Sequence, residues 1–158
     1  MLHWPAKPQD PKAVLPAIPL HAVTGPGDLL HLEPARLAAL IAAAERRYPR
    51  SAIALADRLS QRWLERSANP YLEEIGRVAA ALGRPGAHFL NMSNEWACTC
   101  SVGPTADGHA SRLTRVLDWP FEGLGAELVA ARQRGPAGDW INLTWPGFSG
   151  SIQGLAPG

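Results

Sequence analysis

The run Ala97-Cys98-Thr99-Cys100-Ser101-Val102, the pair Asp107-Gly108, and the run Arg115-Val116-Leu117-Asp118 read as two strands folded back on one turn. Asp107-Gly108 at the centre is a strong short-range hairpin signal, of the type I′ kind with a two-residue loop. Antiparallel pairing across that turn sets Cys98 opposite Leu117 and Cys100 opposite Arg115, and so brings Arg115 and Asp118 near Cys98.

Upstream of the hairpin the periodicity is helical. From Pro34, residues Leu37, Leu40, Ile41, Ala44 and Tyr48 form one stripe that Pro49 ends. A second amphipathic helix runs from about Ser51 to before Asn69, with Ala52, Leu55, Ala56, Leu59 and Trp63 as its apolar face. A third has Asn69 as N-cap, Pro70 at the first helical position, Glu73 and Glu74 near the positive dipole end, and Gly83 and Pro85 after the last turn. Its inward residues are expected to be Tyr71, Leu72, Ile75, Val78, Ala79 and Leu82.

Downstream, strands are expected at Glu127 to Arg132 and Trp140 to Trp145, joined by Gly135-Pro136-Ala137-Gly138, with a last segment near Ser149 to Leu155. The fold class is therefore α+β, N-terminal helices followed by an antiparallel sheet. Prolines at 5, 8, 11, 16, 19 and 26 make residues 1–32 an extended arm, since such a segment sustains neither helix nor central strand. Residues 33–97 form the helical segment, and 98–158 begin a sheet region. Because the chain closes on the turn Ala156-Pro157-Gly158, it reads as the front part of a longer protein, to be completed by association with a C-terminal portion.

Composition narrows the function classes. Fifteen Lys and Arg against fourteen Asp and Glu leave no basic footprint, so neither nucleic acid nor a polybasic membrane patch is expected as partner; a small molecule is. The N-terminus shows no basic segment followed by an apolar run, and no stretch approaches a membrane span, so the expected location is cytoplasmic. Two cysteines one residue apart are poorly placed for an ordinary disulfide, and in a reducing compartment would be thiols. With His109 they make a poor zinc set, because Cys-x-Cys lacks the commoner ligand spacing and no fourth ligand is evident; no metal and no cofactor is expected.

Cys98 is the candidate nucleophile. A guanidinium such as that of Arg115 favours the thiolate, and a carboxylate such as that of Asp118 can accept from an amine or orient the arginine. A histidine base is missing: His109 stands just past the turn, at the far end from Cys98, and His88 is ten residues upstream. Cleavage of the Ala97-Cys98 bond removes the difficulty, since a free α-amine with a pKa of roughly 7.7 to 8 suits a base near neutral pH. Trp119 and Trp145 are candidates for an apolar acyl-binding wall, with Trp140 and Phe148 beside them; core packing is the usual fate of such residues.

Several motifs in order carry a family resemblance: Cys98-Thr99-Cys100-Ser101-Val102, Asp107-Gly108-His109, and Arg115-Val116-Leu117-Asp118-Trp119-Pro120-Phe121. With Asn91-Met92-Ser93-Asn94-Glu95 upstream, and Trp145-Pro146-Gly147-Phe148-Ser149-Gly150 and Gly154 to Gly158 downstream, the chain resembles the linear-amide N-terminal nucleophile hydrolases over residues 91–158. That family includes acid ceramidase, N-acylethanolamine acid amidase and penicillin acyltransferase. It differs from the family's pattern in having Cys100 where Ser or Thr is usual, and in one more residue between Cys98 and the Arg-x-x-Asp element.

The resemblance implies the front portion of an αββα fold whose proenzyme cleaves itself at Ala97-Cys98, residues 33–97 belonging to the α-subunit or propeptide. It implies Cys98 as nucleophile and base, Arg115 and Asp118 as the groups that position sulfur and amine, and an amide with an acyl chain as substrate. The alternative expectation is a truncated or inactive, non-catalytic fragment that folds with a partner subunit.

Overall fold

The computed structural model describes residues 17–92, 97–118, 123–135 and 138–156. The first sixteen residues of the arm, Asn94-Glu95, Trp119-Pro120-Phe121, Pro136-Ala137 and Pro157-Gly158 lie outside the described residues.

The chain begins with β1 (Leu20–Ala22) and α1 (Asp28–Leu32), then runs through α2 (Pro34–Arg47), α3 (Arg50–Arg66), α4 (Leu72–Leu82) and α5 (Ala87–Asn91). The strands β2 (Ala97–Pro104), β3 (Ser111–Asp118), β4 (Val129–Gly135), β5 (Gly138–Thr144) and β6 (Gln153–Leu155) follow, with a 3-10 turn at Leu124–Glu127 before β4. The class is α+β, as the periodicities imply.

Two details of the architecture depart from the expected order. A strand precedes the helices, and the four-stranded sheet β1-β4-β5-β6 is mixed, because β1 pairs parallel to β4 with His21 opposite Ala131. Proline density had argued against structure here, yet Pro19 still accepts through its carbonyl from Ala130 N–H at 2.8 Å, and a short edge strand tolerates a neighbouring proline. The arm's last residues are helix rather than extended chain. Thr24 donates its N–H (2.7 Å) and hydroxyl (2.9 Å) to the Asp28 carboxylate, which opens α1 and turns Leu29 and Leu30 inward. Those bonds, the N–H first, hold the Asp28 carboxyl below its ordinary range.

α1 joins the two layers. Leu29 is fully buried against Val129 and Ala131 of the sheet, while Leu30 packs on Val78 of α4 and Ala87 of α5. A third cluster, of Ala43, Leu124 and Trp145, ties α2 to the strand ends. Burying such side chains is what stabilises the layers, at roughly 1.5–3 kcal/mol for each large one.

The helix boundaries agree with the sequence reading to within a residue or two for α2 and α3. The rotation of α3 does not: Ile53, Ser60 and Leu64 are buried, whereas Leu55, Leu59 and Trp63 are each more than half exposed. The physical reason is polar. Asp57 shares the inward side and its Oδ1 accepts the Phe89 N–H of α5 at 3.1 Å, which fixes α3 against α5 with that face in. In α4, Asn69 Oδ1 accepts Tyr71 N–H at 2.9 Å in a turn that precedes the helix, so the helix proper starts at Leu72 and Tyr71 faces solvent, not the core. Gly83 takes the left-handed C-cap position with φ 65°.

Candidate active site on the β2–β3 ribbon

The strands β2 and β3 form a separate two-stranded sheet with Cys98 opposite Leu117, Cys100 opposite Arg115 and Ala97 opposite Asp118. This is the register expected from the turn position, but the turn is wider than a two-residue loop. The ladder ends at Pro104 opposite Ser111, and Thr105 and Ala110 continue it through one backbone bond, Thr105 N–H to Ala110 O at 2.8 Å, while the Ala110 N–H donates to the Thr105 hydroxyl at 3.1 Å. A type I′ loop needs positive φ at both central residues; among the described residues Gly108 has it, at 72°, and Asp107 does not. Asp107 instead caps the loop, its carboxylate accepting the Thr105 hydroxyl and, at 3.1 Å, the His109 N–H. These bonds, the hydroxyl first, hold its carboxyl below the usual range.

Strand alternation puts positions 98, 100 and 102 on one face with 113, 115 and 117. Position 115 is the diagonal neighbour of 98, at a Cβ separation of about 7–8 Å or less, which a long side chain spans. Position 118 lies opposite 97 and on the other face, next to the Ala97-Cys98 peptide. The ribbon therefore collects positions 98, 115 and 118 around that one peptide unit. Arg115 is half-buried and the Cys100 thiol is exposed.

The histidines lie elsewhere. His109 is exposed at the loop, the far end of the ribbon from Cys98. His88 is buried beside Asp57 of α3, with Nδ1 3.5 Å from Oδ2.

Trp119 lies outside the described residues. Trp145 is a buried core residue: its indole N–H donates to Leu124 O at 3.0 Å, and its ring meets Phe148 edge-on at a centroid distance of 6.2 Å. It also forms part of the wall of an apolar cavity of about 120 Å³ between the helices and the turn after β5.

A residue whose part the sequence reading did not assign joins two of the motif segments. Asn91 donates to Ala87 O (2.8 Å) and Gly147 O (3.0 Å), and its Oδ1 accepts Ser149 N–H at 2.7 Å. The segment starting at Asn91 and the segment Trp145–Gly150 are thus clasped together by one side chain. Gly147 beneath it has φ 86°, and a Cβ there would stand 3.3 Å from Leu30 Cδ2, so the turn requires glycine on both counts. The only advance signal for this clasp was an amide side chain at the head of one short motif and a Pro-Gly turn in the other.

No helix among the described residues is long and apolar enough to cross a membrane, and no group of three or more metal-ligating side chains occurs among them. No protein-family model, curated protein or solved structure matches the chain.

Proposed function

We propose that the chain is the nucleophile-bearing part of an amidase of the N-terminal nucleophile type, in an αββα fold, with Cys98 as the reacting residue. The observation that carries this reading is the ribbon register, which sets Asp118 opposite Ala97 and Arg115 diagonal to Cys98. Positions 115 and 118 then lie beside the Ala97-Cys98 peptide, one on each face of the ribbon.

In the proposed sequence Cys98 Sγ first attacks the Ala97 carbonyl carbon; the C–N bond breaks, the amine of Cys98 takes the proton, and a thioester forms. Water hydrolyses that thioester, releasing the Ala97 carboxylate and a free thiol. The new α-amine then serves as base for Cys98, which attacks the carbonyl of a linear amide, expels its amine, and passes the acyl group to water or to another amine. The Arg115 guanidinium favours the thiolate, and the Asp118 carboxylate accepts from the α-ammonium.

Intact mass of the purified 158-residue chain tests this directly. The expected result is a split into residues 1–97 and 98–158, abolished in Cys98→Ala, with iodoacetamide labelling Cys98 of the split protein before Cys100. An unsplit chain in which Cys100 labels first removes the reading.

A second reading has its own support. The ribbon's described side chains are exposed or half-exposed, with Val102 74 % and Val116 55 % exposed, as in a segment that completes its burial only in an assembly. On that reading the chain is non-catalytic and folds with a partner, and the mass and labelling experiments return an unsplit protein with no preference for Cys98.

A further inference from the structure

The cavity of about 120 Å³ between the helices and the turn after β5 is used by no step of the reaction above. Its wall is hydrocarbon, with Leu37, Ile41, Leu82, Phe89 and Trp145 among its residues, and the one polar atom of the Trp145 ring is already turned to Leu124 O. The cavity opens to solvent at its rim, and an apolar volume of this size is about what a benzene-sized group fills. Its wall thus suits a hydrocarbon group of about six carbons.

The rim has a different character. Glu45 and Arg84 are the charged residues lining the cavity, and Glu45 accepts from Arg84 and from Arg50, the latter at 3.1 Å. Two guanidinium groups therefore share one carboxylate, Arg84 in the lining and the exposed Arg50 outside it, leaving positive charge in excess around the rim. The exposed Arg47 guanidinium stands 5.3 Å from the ring of Tyr48, which lines the cavity, on the same side. An apolar interior with a net positive rim selects an amphiphile with one anionic head and a short tail.

We propose that this cavity binds a short-chain monocarboxylate, its alkyl tail among Leu37, Ile41 and Leu82 and its carboxylate against Arg84. Arginine forks recognise a carboxylate through paired N–H donors, and Glu45 holds the Arg84 fork at the rim before the ligand arrives. The site stands on the cavity and its rim alone and does not depend on any chemistry at Cys98.

Thermal unfolding of the full chain with millimolar hexanoate, 1-hexanol or acetate, at matched ionic strength, tests it. Hexanoate should raise the Tm, hexanol should raise it less, and acetate should leave it unchanged. Arg84→Gln should weaken hexanoate roughly fivefold while leaving the hexanol response intact. Ala44 lines the cavity, and Ala44→Phe should fill it and abolish both responses; Ala44→Leu serves the same purpose should the larger ring prevent folding. Cys98→Ala should respond to hexanoate like the parent chain. No Tm response to hexanoate overturns the site, as does a full response in both Ala44 variants. A hexanol response equal to that of hexanoate, or unchanged hexanoate binding in Arg84→Gln, overturns the anionic head.

Discussion

The two sheets of this chain have ladders of nearly the same length and opposite surroundings. β2 and β3 pair over eight positions and β4 and β5 over seven, so the backbone hydrogen bonding of the two hairpins is almost equal. Yet β4 and β5 bury Val129, Ala130, Ala131, Asn142 and Thr144, while no described side chain of the β2–β3 ribbon is buried. A two-stranded ribbon alone is marginal in water, because its bonds only exchange for bonds to solvent. The difference teaches that the four-stranded sheet is held by what lies on its face, Leu29 of α1 among it, and that the candidate active site sits on the part with the least of that support. Segments that react or reorganise are drawn from such low-stability regions.

The most severe way to test this contrast is to remove the contact between α1 and the sheet. Leu29 is fully buried against Val129 and Ala131, so Leu29→Ala should cost about 2–5 kcal/mol, read as a lower urea midpoint at unchanged slope. A loss under about 1 kcal/mol would mean the sheet does not need α1 and would break the comparison.

The clasp at Asn91 comes next. Asn91→Ala removes three hydrogen bonds and strands the Ser149 N–H and the Gly147 carbonyl, both partly buried, for an expected loss of about 1–3 kcal/mol by chemical denaturation. On the ribbon, Leu113 is 44 % exposed, and Leu113→Ala should change global stability by no more than about 0.5 kcal/mol. A ribbon substitution as costly as the Asn91 change would show that the ribbon is integrated into the core after all.

How far the sequence foretold this pattern depends on the type of signal. The α2 and α3 boundaries, the Gly83 cap and the ribbon register were legible because each is written locally, in proline and glycine punctuation or in the position of a turn. The inward face of α3 was not, because apolar residues occur on two sides of it, Ile53 and Leu64 against Leu55, Leu59 and Trp63. The choice is made by Asp57 bonding to α5, a partner thirty-two residues away that no periodicity encodes. The parallel pairing of β1 with β4 failed to show for the same reason, being a contact between segments more than a hundred residues apart. At the candidate site, the neighbourhood of Cys98, Arg115 and Asp118 follows from register alone. The wider loop does not, because it turns on whether Asp107 or only Gly108 adopts positive φ.

That loop supplies the finest test of the difference between the sheets. Asp28 and Asp107 are both carboxylates held below their ordinary range by hydrogen bonds from nearby threonines, but Asp28 opens the helix that covers the sheet, whereas Asp107 caps only the ribbon's loop. A depressed folded pKa means that each contributes stability in full above the unfolded value of about 3.9 and loses it as pH falls through the lower folded value. Between pH 5 and 8 both contributions are therefore complete, and neither makes stability depend on pH. Below pH 4 the His109 amide, which donates to Asp107, should lose protection from exchange, and Asp107→Asn should produce that loss at neutral pH. The Trp145 indole N–H should stay protected throughout the Asp107 titration, since its bond to Leu124 lies in the core. If protonating Asp107 exposes Trp145 together with the loop, the ribbon and the core unfold as one unit; if His109 opens alone, the ribbon is the separately yielding element that its exposure implies.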